Sequence, residues 1–542
     1  MKLNKTHTIK SGMSKALFLC IIAALCTSCA RVGYPSGGET DKTPPVILGC
    51  SPENQSTNFS KNRFSFEVDE YVNLKDVNNN VLISPPQKNF PEITSKGKKI
   101  VVEMKDTLME NTTYLFQFRD AIADNNEGNL LKDFSYVFST GSAIDSLSFC
   151  GTVLDAFTGK PNDSCHVFLY TAFDDSAVCV QHPTYLTKTD KDGRFIFKYL
   201  SGKKYKIVAL NDIDKSLSYN NASEKIAFNH DTISPYFNSD STESDFSYTM
   251  RSFRQEAAIQ RLVKSDFIAK GRIQIVSALP MSNPELETFG TETYRLLSKK
   301  RDTLNIWLKN KDLDSINMVI TDNTGINDTL KLRTFNKREH GGAFLHTNVT
   351  EKFPFFDTVR ITFANPVDSV VKPEKAVYYK CTSDSAYAQV VMDEITKSSA
   401  KVIMPVMQGE TYEITVFGNR FYDIYRKSND TLKIKTTVTK TEDYGTIALT
   451  FKPQNATENY VLQLLSEKDE VLKEVQVSGT QTLKFEHLKA GKYRIRAIDD
   501  ENANGKWDTG NYWKNIQPEH TKVFDKELNV RENWDFEETF EW

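Results

Sequence analysis

Of the 542 residues, the stretch richest in donor chemistry is Asp499-Asp500-Glu501-Asn502-Ala503-Asn504-Gly505-Lys506-Trp507-Asp508-Thr509-Gly510. Counted from Asp500, oxygen-bearing side chains stand at places one, three, five and nine, on Asp500, Asn502, Asn504 and Asp508. Gly505 stands at place six. Alternate residues turned inward around a glycine bend form the opening of a calcium loop, because a hard cation needs several oxygens and a sharp turn to gather them. Asn511 occupies place twelve, where a bidentate glutamate would complete the set. The expected affinity is therefore modest, about 10⁻⁴ to 10⁻³ M. The competing reading is an Asx-rich hairpin whose side chains bond their own backbone. No other cofactor is called for.

Catalytic constellations are missing from the sequence. The histidines are scattered, and Cys165 and His166, as neighbours on a strand, point to opposite faces and cannot pair as nucleophile and base. There is no Gly-x-Ser-x-Gly, phosphate loop or His-Glu-x-x-His. Glu67, Asp69 and Glu70 read as a solvated strand end rather than paired catalytic carboxylates. Tyr422, Tyr425, Trp507, Tyr512 and Trp513 have faces that would stack on sugars, or they fill a sandwich corner with their own rings. The protein is expected not to be an enzyme.

The first fifteen residues carry only positive charge, an apolar run follows from Ala16 to Cys26, and Thr27-Ser28 precede Cys29. This is the physical pattern of a secretory signal, with a core too short to span a bilayer. The small residues before Cys29 resemble a bacterial lipobox, which implies cleavage after residue 28 and lipidation of Cys29. Cys26 stands where that motif usually has leucine. An ordinary cleavage that releases the chain is the alternative. Residues 29–43 then read as a flexible tether. Without the four leader lysines the chain has 64 basic and 71 acidic residues, a balance of −7 that argues against a nucleic-acid partner. Cys50, Cys150, Cys165, Cys179 and Cys381 show no metal-ligand spacing. Either Cys165 and Cys179 bridge facing strands or all five are free thiols.

Period-two alternation dominates what remains. Phe64, Phe66 and Val68 alternate with Ser65 and Glu67, Tyr114, Phe116 and Phe118 alternate with Leu115 and Gln117, and turn residues interrupt about every ten positions. The expected fold class is all-β, a string of Ig-like and transthyretin-like sandwiches. Residues 44–141 resemble bacterial Ig-like domains of the surface-layer type, on Thr43-Pro44-Pro45, Asn111-Thr112-Thr113-Tyr114, Asp120 to Asp124 with Gly128-Asn129, and Phe138-Ser139-Thr140. That resemblance makes Asp120, Asp124 and Asn126 a turn closing the sandwich. Residues 147–240 resemble the transthyretin-like, carboxypeptidase regulatory-like sandwich, on Gly151-Thr152-Val153, Thr158-Gly159-Lys160-Pro161 and Asp192-Gly193.

Phe197, Leu200, Lys204, Tyr205, Ile207 and Ala209 return 288 residues later as Phe485, Leu488, Lys492, Tyr493, Ile495 and Ala497. Residues 440–542 are therefore expected to repeat the second sandwich. Asp212 and Asp214 fall on Asp500 and Asn502, but Leu217 and Asn220 replace Gly505 and Asp508, so this earlier loop is expected to bind no ion. Tyr412 to Val416 resembles Tyr114 to Phe118, which suggests a second Ig-like domain over 350–438. Between them, 245–345 is β-rich and of uncertain type, with a short helix expected near Gln255 to Val263. The whole resembles Ig-like lipoproteins of the Bacteroidetes type. It implies a spacer or scaffold anchored by lipid in the outer membrane, facing the periplasm or the exterior. The alternative is a surface module binding a glycan or an envelope protein.

Overall fold

The computed structural model describes residues 41–542, apart from 222, 237–245, 257–259, 334–337, 339–340, 395 and 456–457. The expected leader and Cys29 lie outside the described residues. The chain is all-β and divides into two compact units, ending and beginning at Ile144 and Asp145. Among the described residues no helix is long and apolar enough to cross a membrane.

In the first unit, one sheet takes the order Ile47–Ser51, Arg63–Val68, Lys99–Glu103, Glu92–Lys96, and another the order Leu82–Ser84, Thr113–Gln117, Ser135–Ser139. The alternation seen in the sequence faces inward: Phe64, Phe66, Val68, Ile100, Val102, Tyr114 and Phe116 share one core. Phe64 stacks on Tyr136 with ring centroids 3.9 Å apart and meets Phe116 edge-on. Aromatic pairs of this kind add about 0.5–1.5 kcal/mol each beyond the area they bury. Val72–Leu74 pairs antiparallel with Ile122–Asp124 in a separate two-stranded sheet.

The second unit begins with a seven-stranded sheet, ordered Tyr185–Lys188, His166–Tyr170, Lys206–Leu210, Lys225–Phe228, Thr249–Arg254, Leu147–Asp155, Arg194–Leu200. Its strand Thr249–Arg254 pairs in parallel with Leu147–Asp155. That strand lies past residue 240, in the span assigned from sequence to the next domain. The last hundred residues repeat the plan: Gly445–Lys452 pairs antiparallel with Gln481–Leu488 and parallel with Asp535–Glu541, while Asn459–Ser466 lies between Val471–Ser478 and Gly491–Asp499. The residues repeated at offset 288 do the same work in each copy. Phe197, Leu200, Tyr205, Ile207 and Ala209 line one core, and Phe485, Leu488, Tyr493, Ile495 and Ala497 the other. The hydroxyls of Tyr205 and Tyr493 each donate to a carbonyl four residues back, on Ser201 and Lys489.

Between the copies, strands over 262–333 form a four-stranded and a three-stranded sheet around Phe267, Ile273, Ile306 and Met318. The expected helix near Gln255 is not found on the described residues: Leu262 and Val263 open the strand Leu262–Ala269, and Gln260 is irregular. Its side chain both accepts from the Leu279 N–H and donates to the Leu279 carbonyl. Tertiary pairing of this kind overrides a weak helical preference.

The domain over 345–438 has an eight-stranded sheet and a separate two-stranded antiparallel sheet, Val367–Val370 with Phe421–Asp423. Its Tyr412 hydroxyl accepts the Met407 N–H, just as that of Tyr114 accepts the Met109 N–H. All five described cysteines are free. Cys179 sits in the one-turn helix Ala177–Val180 rather than on a strand facing Cys165, which is why the bridge considered from sequence does not form.

Candidate functional site

The donor-rich loop leaves Gly491–Asp499 and returns at Thr521–Val523. Asp500 is buried, and its two carboxylate oxygens accept the N–H groups of Asn504 and Gly505 at 2.9 and 2.8 Å. Ala503 and Gly505 adopt left-handed backbone, φ 58° and 75°, which aims those donors back at Asp500. Asp508 accepts the side-chain amides of Asn502 and Asn504, the latter at 2.7 Å. All four residues singled out from sequence thus share one loop. Asn502, Asn504 and Asp508 meet at a single carboxylate, while Asp500 holds the turn.

Glu519 also belongs here, and the sequence reading missed it. It is buried, and its oxygens accept the N–H groups of Glu501 and Asp508 at 3.2 and 2.8 Å. Burial pushes its carboxyl up against the lowering effect of the Asp508 N–H, and the Asp508 and Asp500 carboxylates add to the rise, to about 7. It stands nineteen places after Asp500. No loop template reaches that far, so only the returning chain brings it in.

The equivalent loop of the earlier copy has the same backbone. Lys215 and Leu217 take φ 61° and 55°, at the positions of Ala503 and Gly505. The Asp212 carboxylate accepts the N–H groups of Ser216 and Leu217 at 3.0 and 2.9 Å, as Asp500 does four and five residues on. Leucine in this conformation costs about 1–2 kcal/mol relative to glycine. The missing glycine therefore does not prevent the turn.

The later loop and the two strands that flank it also bridge the two copies. Arg496 places its guanidinium 3.7 Å from the centre of the Phe157 ring while donating twice to the Gln463 side-chain oxygen. Burial pulls its pKa down to about 10. Trp507 packs on Phe157 at 4.8 Å, and Tyr512 enters a core with Phe168, Tyr170, Val178, Phe228 and Phe253 of the earlier copy. The Tyr512 hydroxyl donates to the Asp175 carbonyl, Gln517 to the Phe228 carbonyl and Thr521 to the Ala156 carbonyl. Of the five aromatics weighed as sugar platforms, Tyr512 is buried and Trp507, Tyr422 and Tyr425 are half-buried. The Tyr425 hydroxyl donates to the carbonyls of Gly271 and Leu308. Trp513 is 52% exposed.

Elsewhere, Asp124 accepts four backbone N–H groups, from Asn126, Glu127, Gly128 and Asn129. Burial raises its carboxyl, but those four donors outweigh it and hold the pKa below the ordinary aspartate value. Asp120 and Asn126 are exposed beside it. Glu67 and Asp69 are exposed at their strand end, with Glu67 3.3 Å from the Lys99 ammonium. Burial pushes the Cys165 thiol up to about 12, well away from a reactive thiolate.

Residues 41–140 match the family model described as a bacterial Ig-like domain. No curated protein matches the chain. Among solved structures, BcpA, the major pilin subunit of Bacillus cereus, is 11% identical over 73% of this chain and 99% of that one, with a TM-score of 0.15. The surface layer protein SbsC, domains 1–6, is 11% identical over 97% and 70%, at 0.14. A Bacteroides ovatus mixed-linkage glucan utilization protein, SGBP-B, solved with a heptasaccharide, is 9% identical over 82% and 99%, at 0.17. Scores this low carry no argument about function. By its matched front domain and its architecture, the chain is an all-β protein with an Ig-like domain.

Proposed function

We propose that the protein is a lipid-anchored scaffold or spacer of a bacterial cell envelope, held to the outer membrane through Cys29 and without catalytic activity. One observation supports this reading above others. The loop with the densest donor chemistry directs its side chains to its own backbone and, through Trp507 and Tyr512, to the neighbouring sandwich. Such a loop stiffens the joint between the two copies. The calcium reading of Asp500, Asn502, Asn504 and Asp508 remains part of the proposal, since amides that now turn nitrogen toward Asp508 would turn oxygen toward an ion.

The anchor has a direct test. With the full chain expressed in a diderm bacterium, the wild type should partition into detergent and carry acyl chains by mass spectrometry, and Cys29→Ser should move to the aqueous fraction. A wild type without acyl groups would end the anchored reading. Exposed Trp513 favours the second reading, a glycan-binding module. A glycan-array signal lost in Trp513→Ala, with an unchanged melting temperature, would replace the scaffold reading with that one.

A further inference from the structure

The earlier copy's loop, between Lys206–Leu210 and Lys225–Phe228, has oxygen-bearing side chains at every second residue: Asp212, Asp214, Ser216, Ser218 and Asn220. Glu224 follows four residues on. Read by its missing glycine and aspartate, this loop was expected to bind no ion. Two observations reverse that expectation.

First, Leu217 already supplies the left-handed bend that Gly505 supplies in the other copy. Second, the loop returns Glu224 to its own start. One carboxylate oxygen each from Asp212, Asp214 and Glu224 lie within 4.8 Å of one another. Glu224 is 0% exposed. Its Oε1 accepts the Ile213 N–H at 3.0 Å, but its Oε2 is buried with no hydrogen-bond partner. The other copy has no such orphan at its buried acids: both oxygens of Asp500 and both of Glu519 accept backbone N–H groups.

Three carboxylates this close repel one another, and a buried oxygen without a donor is costly. A divalent cation relieves both. The loop's alternate side chains are carboxylates, hydroxyls and an amide, with neither imidazole nor thiolate among them, which suits a hard ion and not zinc. The fourteen-residue loop between the two strands suits the larger, more tolerant coordination shell of calcium better than the strict octahedron of magnesium.

We propose that Asp212, Asp214 and Glu224 form a calcium site in the first repeat. Tyr219, in the same loop, meets the Tyr512 ring of the second repeat with centroids 6.1 Å apart. The ion therefore sits beside the joint between the two repeats and stiffens it.

The test is calcium titration of the full chain in detergent micelles after chelator treatment, by calorimetry, on the wild type, Asp214→Asn, Glu224→Gln and Asp508→Asn. The expected result is a saturable site with Kd of about 10⁻⁴ to 10⁻³ M. It should persist in Asp508→Asn, which removes the later loop's own contribution, and weaken by at least about tenfold when Asp214→Asn or Glu224→Gln is added to Asp508→Asn. Asp214 is exposed, so Asp214→Asn tests binding without threatening the fold. In chelator, Glu224→Gln should melt no lower than the wild type, because it removes an unpaired buried charge; a merely structural Glu224 would melt lower. No saturable site in the wild type would overturn the proposal, as would a site kept in Asp214→Asn and lost in Asp508→Asn.

Discussion

Asp155 shows how a single carboxylate serves the fold. Burial raises its carboxyl, but the Lys225 ammonium at 2.6 Å, with the Thr158 N–H and hydroxyl, outweighs that and leaves its pKa below the ordinary aspartate value. A carboxyl lowered by folding contributes stability that is present above its unfolded pKa and lost as pH falls through its folded one. The denaturation midpoint of the wild type should therefore exceed that of Asp155→Asn at pH 7, and the gap should close below about pH 4. Urea titrations at pH 7, 5 and 3 measure this. Asp155 is only an acid in a turn-rich stretch when read as sequence; its partner Lys225 is 70 residues away.

At the scale of elements, the repeat was legible because a strand has a period of two. Phe485, Leu488, Tyr493, Ile495 and Ala497 had to face one core if Phe197, Leu200, Tyr205, Ile207 and Ala209 did. The loops between the strands were not legible in the same way. Leu217 takes a conformation that its residue type disfavours, and Glu519 and Glu224 enter their sites only because the chain returns. The joint made by the later loop has a measurable strength. Tyr512 is buried in the core of the other copy. Tyr512→Ala should lower stability by about 3–5 kcal/mol by leaving a cavity. Tyr512→Phe, which loses only the bond to the Asp175 carbonyl, should lose about 1 kcal/mol. Thermal melts of both variants check the ratio.

At the scale of the whole second unit, domains far apart in sequence depend on each other. Phe168, Tyr170, Phe228 and Phe253 are buried in part by Tyr512, whose neighbour Gly510 sits against Phe253 so closely that a Cβ there would lie 2.6 Å from the ring. Removing residues 440–542 should expose that apolar face. The truncated chain should then bind a hydrophobic dye in its folded state and melt below the full chain. Equal melting and no dye binding would show the earlier copy to be complete by itself.

The sequence alone determined the all-β class, the Ig-like front domain and the internal copy. Strand alternation and a constant spacing are local signals, and they survive without knowledge of what packs where. Tertiary structure alone decided which polar groups meet: that the first loop gathers Asp212, Asp214 and Glu224, that the second gathers Glu519, and that it docks on the earlier copy. Those contacts join residues separated by a turn or by hundreds of positions, and only chain return and burial select them.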